Sequence, residues 1–429
     1  MKKILSLCVF CFSLSVSSAQ AQTAKDIAPL MVPGWNLGNT LEAGPCSWLS
    51  NDLDWETGWQ PTKTTQEIID FVRDMGFRSV RIPCAWNTHM NSKHKIKAAW
   101  MRRVKQVVDY CIKDSLYVML NDHWDNGWIE VDGFKDITEE KVQQKCDLLT
   151  DLWTQIATEF ADYDHHLLFA GLNEPNASDE TTYPILKRYN QTFVDAVRAT
   201  GGKNANRILV AQGPCTDIDR TYDNNVLPTD STPNALMLEV HFYSPYQFVG
   251  MSEDADWSYR FFYWGSGNHV SGSNYNATWG EEAYVQQEMR KMRTKYTNKG
   301  VPVIIGEYGV GLKTMPEGEN QDKHNASIRD WHKAVTRYAI NNGCVPMVWD
   351  TNAGHPVIDR ANCTIGNEFS YGGIMDGVEL GKWPFVTGIE ELTAQPQTIN
   401  STTFNLQGQP VSDSYRGIVI KNREKYMRK

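Results

Sequence analysis

Positive charge is in short supply along this chain: 42 Lys and Arg stand against 51 Asp and Glu over 429 residues, a formal net charge of −9. That balance builds no broad cationic field, so a nucleic-acid partner held by phosphate neutralisation is excluded. Long apolar runs are equally scarce. The run from Ile4 to Val16 is shorter than the roughly 20 residues a spanning helix needs, and no second one follows, so no transmembrane span is expected. Its setting, behind Lys2 and Lys3 and ahead of Ala19-Gln20-Ala21, is that of a signal peptide over residues 1–21. The expected location is therefore extracellular or at the cell surface, with the periplasm as the alternative. Beyond that segment there is no CxxC pair, and Cys46, Cys84, Cys111, Cys146, Cys215, Cys344 and Cys363 are odd in number, so at least one is free or joined between chains. The sequence indicates no metal site and no cofactor. It contains neither a G-x-S-x-G elbow nor a P-loop, which argues against an α/β-hydrolase esterase and a nucleotide enzyme.

Aromatic residues, by contrast, are plentiful: 15 Trp, 18 Tyr and 15 Phe supply flat amphipathic faces for core packing and for stacking on sugar rings. Short β-branched apolar runs recur near Val32–Leu37, Ser79–Ile82, Tyr117–Leu120, Leu167–Leu172, Ile208–Ala211, Leu236–Val240, Val303–Gly306 and Val345–Trp349. Helical periodicity separates most of them, at Glu67–Met75, Ala99–Lys113, Glu139–Phe160, Leu186–Thr200, Glu281–Tyr296 and Ser327–Asn341. A capping box from Thr64 to Glu67 opens the first helix and Gly76 closes it. Eight nearly continuous apolar strands alternating with helices predict a parallel sheet closed as a (β/α)8 barrel, one catalytic domain over 22–390; an open doubly wound sheet is the alternative. No helix is evident between the fifth and sixth strands. Between the sixth and seventh, Trp257, Tyr259, Phe261, Phe262, Tyr263, Trp264, Tyr275 and Trp279 crowd a Gly/Ser/Asn-rich insertion, either an aromatic loop at the barrel mouth or a mini-core folded on itself.

Polar residues collect where these strands end. Arg81 ends the second, His123 follows the third, Asn173-Glu174 the fourth, His241 and Tyr243 the sixth, Glu307 the seventh, and Trp349 ends the eighth. Singly, each reads as an ordinary structural residue; together they share the face on which barrel enzymes keep their chemistry. Two carboxylates suit the cleavage of an acetal, which needs one carboxyl to protonate the leaving oxygen and one carboxylate to attack or to activate water. The fourth and seventh strands lie on opposite sides of a barrel mouth, so Glu174 and Glu307 face each other across a gap a sugar can occupy.

The ordered series Gly34-Trp35-Asn36-Leu37-Gly38-Asn39-Thr40-Leu41, Val80-Arg81-Ile82-Pro83, Leu172-Asn173-Glu174-Pro175, Val240-His241-Phe242-Tyr243, Ile305-Gly306-Glu307-Tyr308-Gly309 and Val348-Trp349-Asp350 resembles glycoside hydrolase family 5, in its endoglucanase and xyloglucanase branch, over about residues 30–385. The resemblance implies a retaining double displacement with Glu174 as acid/base and Glu307 as nucleophile. It further implies that Arg81 and Tyr243 hold Glu307, that Asn173 binds the 2-hydroxyl at the cleavage point, that His241 orients Glu174, that His123 contacts the same sugar and that Trp349 forms its floor. Asn39 is either a further sugar contact or a residue serving its turn. The branch usually shows two adjacent His after the third strand; here Asn121-Asp122-His123-Trp124-Asp125 keeps the first and places Trp124 at the second. Trp124, with Trp128, is then an added stacking platform or packing beneath the loop.

These readings converge on a secreted, monomeric endo-β-1,4-glucanase acting on cellulose, mixed-linkage glucan or xyloglucan. A β-mannanase on the same scaffold and a non-catalytic glycan-binding barrel are the competing readings. The stretch from Phe404 to Lys429 is similar to the end of sorting domains of Bacteroidetes-type bacteria, so residues 391–429 are expected to be a sorting-related tail, with a plain β-hairpin as the alternative.

Overall fold

The computed structural model describes residues 22–353 and 356–385, with the backbone of four short strands beyond residue 402. The expected signal peptide, 1–21, lies outside the described residues, as does most of the tail. By compactness the chain forms two units, Met1–Pro384 and Phe385–Lys429.

In the first unit, eight parallel strands close into a barrel in sequential order: β1 (Gly34–Asn36), β2 (Ser79–Ile82), β3 (Tyr117–Asn121), β4 (Leu167–Ala170), β5 (Leu209–Gln212), β6 (Leu236–Phe242), β7 (Val303–Tyr308) and β8 (Cys344–Val348). Closure is made by Gly34 and Trp35 pairing with Met347 and Val348. The runs are nearly continuous in hydrophobicity because both faces are covered. Met119, Leu168, Val210, Met237, Ile304 and Met347 fill the interior, where Ile27 and Met31 of the N-terminal turn join them from below.

Each strand is followed by a helix: α1 (Gln66–Asp74), α2 (Ala98–Lys113), α3 (Glu139–Glu159), α4 (Tyr183–Ala199), α5 (Ile218–Asp223), α6 (Glu282–Lys295), α7 (Gln321–Asn341) and α8 (Glu368–Leu380). Three details depart from the sequence reading. The cap of α1 is Thr65, whose hydroxyl accepts from Ile68 N, while Thr64 donates its N–H to Glu56; the capping box from Thr64 does not form. The connection between β5 and β6 does contain a helix, α5, capped by Asp217. Six residues are too few to show a period.

The third departure is α8, which three glycines concealed, since Gly is a poor helix former. Packing accounts for two of them. A Cβ on Gly373 would lie 2.2 Å from Arg329 O, and one on Gly377 would lie 2.8 Å from Lys333 O, so α8 approaches α7 closely only because these side chains are missing. The strands of the second unit, Thr403–Asn405, Pro410–Val411, Gly417–Lys421 and Glu424–Arg428, form an antiparallel sheet.

The pairing of β6 with β7 is irregular at one point. Val240 faces Ile305, but the next pair is His241 with Glu307, so Gly306 is an extra residue that bulges out of register. Bulges of this kind re-aim side chains beside active sites. Here the bulge turns Glu307 inward next to His241.

Candidate active site

Arg81 is the hub of the C-terminal barrel face. Its side chain is fully buried at the end of β2, and burial of a guanidinium is tolerable only when its donors are used. Nη1 donates to Glu307 Oε1 at 2.9 Å and to Asn36 Oδ1 at 3.1 Å; Nη2 donates to Asn173 Oδ1 at 2.7 Å; Nε forms an ion pair with Glu239 Oε1 at 2.9 Å. One side chain thus fixes groups from β1, β4, β6 and β7.

Glu307, almost wholly buried, also accepts from the Tyr243 hydroxyl at 3.0 Å. Burial pushes its carboxyl above the ordinary value, against the pull of His241 and Arg81, and the neighbouring charges of Glu174 and Glu239 add to the rise. Glu174 follows β4 with a φ of 38°, a left-handed conformation unusual for a side chain of this size, and its side chain remains 40% exposed. Its Oε1 lies 2.7 Å from His241 Nδ1. Burial would raise Glu174, but the bond from His241 and the positive charges of His241 and Arg81 outweigh it and hold this carboxyl below its usual value.

His241 lies between three carboxylates: Nδ1 is 2.7 Å from Glu174 and 3.7 Å from Glu307, and Nε2 is 3.2 Å from Glu239. Burial alone would lower it, yet the Glu307 charge and the bonds to Glu174 and Glu239 raise it to about 10. It is therefore an imidazolium at neutral pH, donating on both sides. One oxygen of Glu174, one nitrogen of His241 and one oxygen of Glu307 lie within 4.8 Å of one another. Their spacing suits a metal, but an imidazolium has no lone pair to offer. The other set of ligating side chains among the described residues, Asp164, His165 and His166, lies just before β4, away from this face.

His123 stands at the end of β3, its Nδ1 3.1 Å from Asn121 Nδ2 and its ring stacked on Trp349 with centroids 5.6 Å apart. Burial, Arg81 and His241 all push it well below its ordinary value, so it is a neutral imidazole. Trp349 directly follows β8, its backbone N–H bound to Tyr308 O at 2.8 Å.

The structure thus brings Arg81, His123, Asn173, Glu174, His241, Tyr243, Glu307 and Trp349 to one cluster. Asn39 takes a positive φ of 57° and gives its backbone N–H to Glu42, so the turn is what the structure accounts for. Trp124 is 38% exposed, whereas Trp128 is buried, donating Nε1 to Asp122 Oδ2 at 3.0 Å; Trp128 is packing beneath the loop and no platform. The aromatic insertion divides in the same way. Phe261, Phe262, Tyr263 and Trp264 are a buried mini-core, while Trp257, Tyr259 and Trp279 are exposed.

Sequence reasoning missed Glu239 and Asn36. Glu239 is fully buried and bound by Arg81, His241 and Gln212. Its signal was available: a lone carboxylate inside the apolar run of β6 must have a cation opposite it. Asn36 donates Nδ2 to Gly306 O at 2.8 Å, tying β1 to the bulge. Nothing in the sequence separates that Asn from a turn residue.

The cellulase model of glycosyl hydrolase family 5 matches residues 44–355. The chain belongs to glycoside hydrolase family 5. Its relatives include the xyloglucan-specific endo-β-1,4-glucanase of Bacteroides ovatus, 34% identical over 370 residues, covering 83% of this chain and 70% of that protein. Endoglucanase A of Paenibacillus barcinonensis is 32% identical over 393 residues, covering 85% and 92%. Among solved structures, a family 5 xyloglucan-specific β-1,4-glucanase from a ruminal metagenomic library, in complex with XXLG, superposes with a TM-score of 0.78 at 49% identity, covering 85% of this chain and 98% of that one. The Bacteroides ovatus family 5 xyloglucanase with an XXXG heptasaccharide gives 0.76 at 33% identity, covering 84% and 78%. This family 5 chain is a glycoside hydrolase of the endoglucanase type.

Proposed function

We propose that this chain is a secreted, retaining endo-β-1,4-glucanase, with xyloglucan first among its substrates and Glu307 and Glu174 as nucleophile and acid/base. The observation that carries the retaining reading is the 4.8 Å limit on the separation of the two carboxylate oxygens. Retaining enzymes hold their carboxyl groups about 5–5.5 Å apart, whereas inverting enzymes leave about 6.5–9.5 Å for a water.

In the first step a Glu307 oxygen attacks the anomeric carbon, the bond to the leaving oxygen breaks, and Glu174 gives that oxygen a proton. The proton is supplied through His241, whose Nδ1 is 2.7 Å from Glu174 Oε1. A sugar over the exposed part of Glu174 removes its water and raises its affinity for that proton. In the second step Glu174 takes a proton from water, whose oxygen displaces Glu307. Esterified Glu307 no longer carries its charge, so Glu174 and His241 lose the anion that favoured their protonated forms, and Glu174 serves as base. Arg81 and Tyr243 hold Glu307 at both oxygens in the ionised form, and Asn173 takes the 2-hydroxyl of the sugar.

Xyloglucan is placed first because the relatives at 49% and 34% identity are named for it. The site is complete within one chain, which supports a monomer. The test is product release from xyloglucan, mixed-linkage glucan, carboxymethyl cellulose and glucomannan, with Glu307→Gln as control. Oligosaccharides from glucan backbones, fastest from xyloglucan and lost in the variant, are expected; release from glucomannan alone would replace the proposal with a mannanase.

A further inference from the structure

Glu239 is a third carboxylate at the site, and the two displacement steps leave it without a task. Its side chain is fully buried on β6, two residues before His241, where a carboxylate is costly unless its oxygens are met. Both are met here. Oε2 accepts from the Gln212 amide on β5, and Oε1 lies 2.9 Å from Arg81 Nε and 3.2 Å from His241 Nε2. Room for Oε1 comes from Gly306 at the β7 bulge, where a Cβ would stand 1.9 Å from that atom. On the other side of the imidazole ring, Nδ1 meets Glu174 Oε1 at 2.7 Å. A continuous line of contacts therefore runs from Glu239 through His241 to Glu174, from a sealed end to a partly exposed one.

We propose that Glu239 is a positioning residue that sets the tautomer of His241: it keeps a hydrogen on Nε2, so that Nδ1 is the nitrogen that gives up and recovers the proton used at Glu174. The inference rests on the double-displacement reading above. An ionised carboxylate can only accept, and the partner of one imidazole nitrogen decides which nitrogen keeps its hydrogen when the ring is neutral. Burial would raise Glu239, but the Arg81 charge, together with the bonds from His241 and Gln212, outweighs it and holds this carboxyl below its usual value, so it is ionised. Glu174 after β4, Glu307 on β7 and Glu130 of the β3 loop also face the ring as acids, Arg81 on β2 is a second cation, and His123 after β3 is neutral. Among the described residues, Glu239 is the carboxylate within reach of Nε2. In the first displacement the Nδ1–H bond breaks and its proton passes to Glu174 as Glu174 protonates the leaving oxygen; His241 is left neutral, with its hydrogen on Nε2. In the second, the proton that Glu174 takes from water returns to the Nδ1 lone pair. The proton delivered to the leaving oxygen is thus replaced by one from water, and no other donor is needed. Without the Glu239 anion the neutral ring is free to keep its hydrogen on Nδ1, which closes that route.

The test compares the full-length wild type with Glu239→Gln and Glu307→Gln, measuring kcat/KM on a xyloglucan oligosaccharide, whose leaving sugar needs a proton, and on a dinitrophenyl glycoside of the same glycone, whose leaving group needs little. Glu239→Gln keeps the shape and loses the charge; it is expected to lose about 10²-fold on the oligosaccharide and less than about tenfold on the aryl glycoside. A merely structural role would displace Arg81 and Glu307 and depress both alike, so equal losses, or no loss on either, would overturn the inference. Heteronuclear NMR of the histidine nitrogens in the wild type, with His241→Asn identifying the resonances, decides the matter even if Glu239→Gln does not fold. Nε2 should keep its hydrogen while Nδ1 loses its own as pH rises toward about 10; loss from Nε2 first would overturn the inference. An active Glu307→Gln would defeat the underlying mechanism, whereas an inactive one beside equal losses in Glu239→Gln would defeat only the role of Glu239.

Discussion

Replacing Gly306 by Ala tests how tightly the bulge controls the site. A Cβ there would fall 1.9 Å from Glu239 Oε1 and 2.8 Å from its Cγ, whereas real Cβ atoms essentially never approach closer than 3.0 Å. Glu239 has little room to retreat, being fully buried between Arg81, His241 and Gln212, so either the Arg81–Glu239 pair opens or β7 shifts by about 1 Å and carries Glu307 with it. The second route misplaces Glu307, the proposed nucleophile, by an amount that costs about 10²-fold in rate. The first breaks a buried ion pair, which costs about 3–5 kcal/mol of stability. At roughly 2 °C per kcal/mol for a domain of this size, melting falls by about 6–10 °C. Steady-state kinetics on soluble xyloglucan and calorimetric melting of the same preparation read both routes. Gly311→Ala is the control, because a Cβ at Gly311 meets open space. A Gly306→Ala protein with wild-type kcat and wild-type melting would refute the account of the bulge.

Three further outcomes are expected. Glu174→Ala should lose much more activity on natural glucan than on aryl glycosides with good leaving groups, which need little protonation; equal losses in kcat/KM would remove Glu174 from the acid role. Because Glu307 must be ionised and burial raises it above 4.5, the acid limb of kcat/KM should lie above that value, with activity falling as pH falls through the raised value; a limb below 4.5 in a pH–rate profile would contradict the burial argument. Gly373→Ala, which drives a Cβ to 2.2 Å from Arg329 O, should separate α8 from α7 and cost about 1–3 kcal/mol in denaturant unfolding while sparing KM; unchanged stability would show that the helices have room.

The barrel was legible because the strands are buried on both faces and most read as nearly continuous apolar runs, a pattern that survives without knowledge of neighbours. What escaped were elements whose reason is tertiary. The helix α5 is too short for a period, and α8 is rich in glycine because α7 crowds it. The gathering of Glu174, Glu307 and their donors on one face was legible from their place at strand ends and from the ordered motifs. Asn36 was not read, since its work is to tie β1 to the bulge through a bond that crosses from strand to strand, and spacing along the chain carries no trace of such a bond; Glu239 was missed although a lone carboxylate in an apolar run calls for a cation opposite it. The exposure of Trp124 against the burial of Trp128 likewise depends on Asp122 and Lys145 claiming the latter.

The account turns on a retaining displacement across two closely spaced carboxylates. Proton NMR of the first products released by the wild-type chain from a cello- or xyloglucan oligosaccharide tests it most directly. The β-anomer at the new reducing end should appear first, followed by slow mutarotation; initial release of the α-anomer would contradict the assignment of Glu307 as nucleophile.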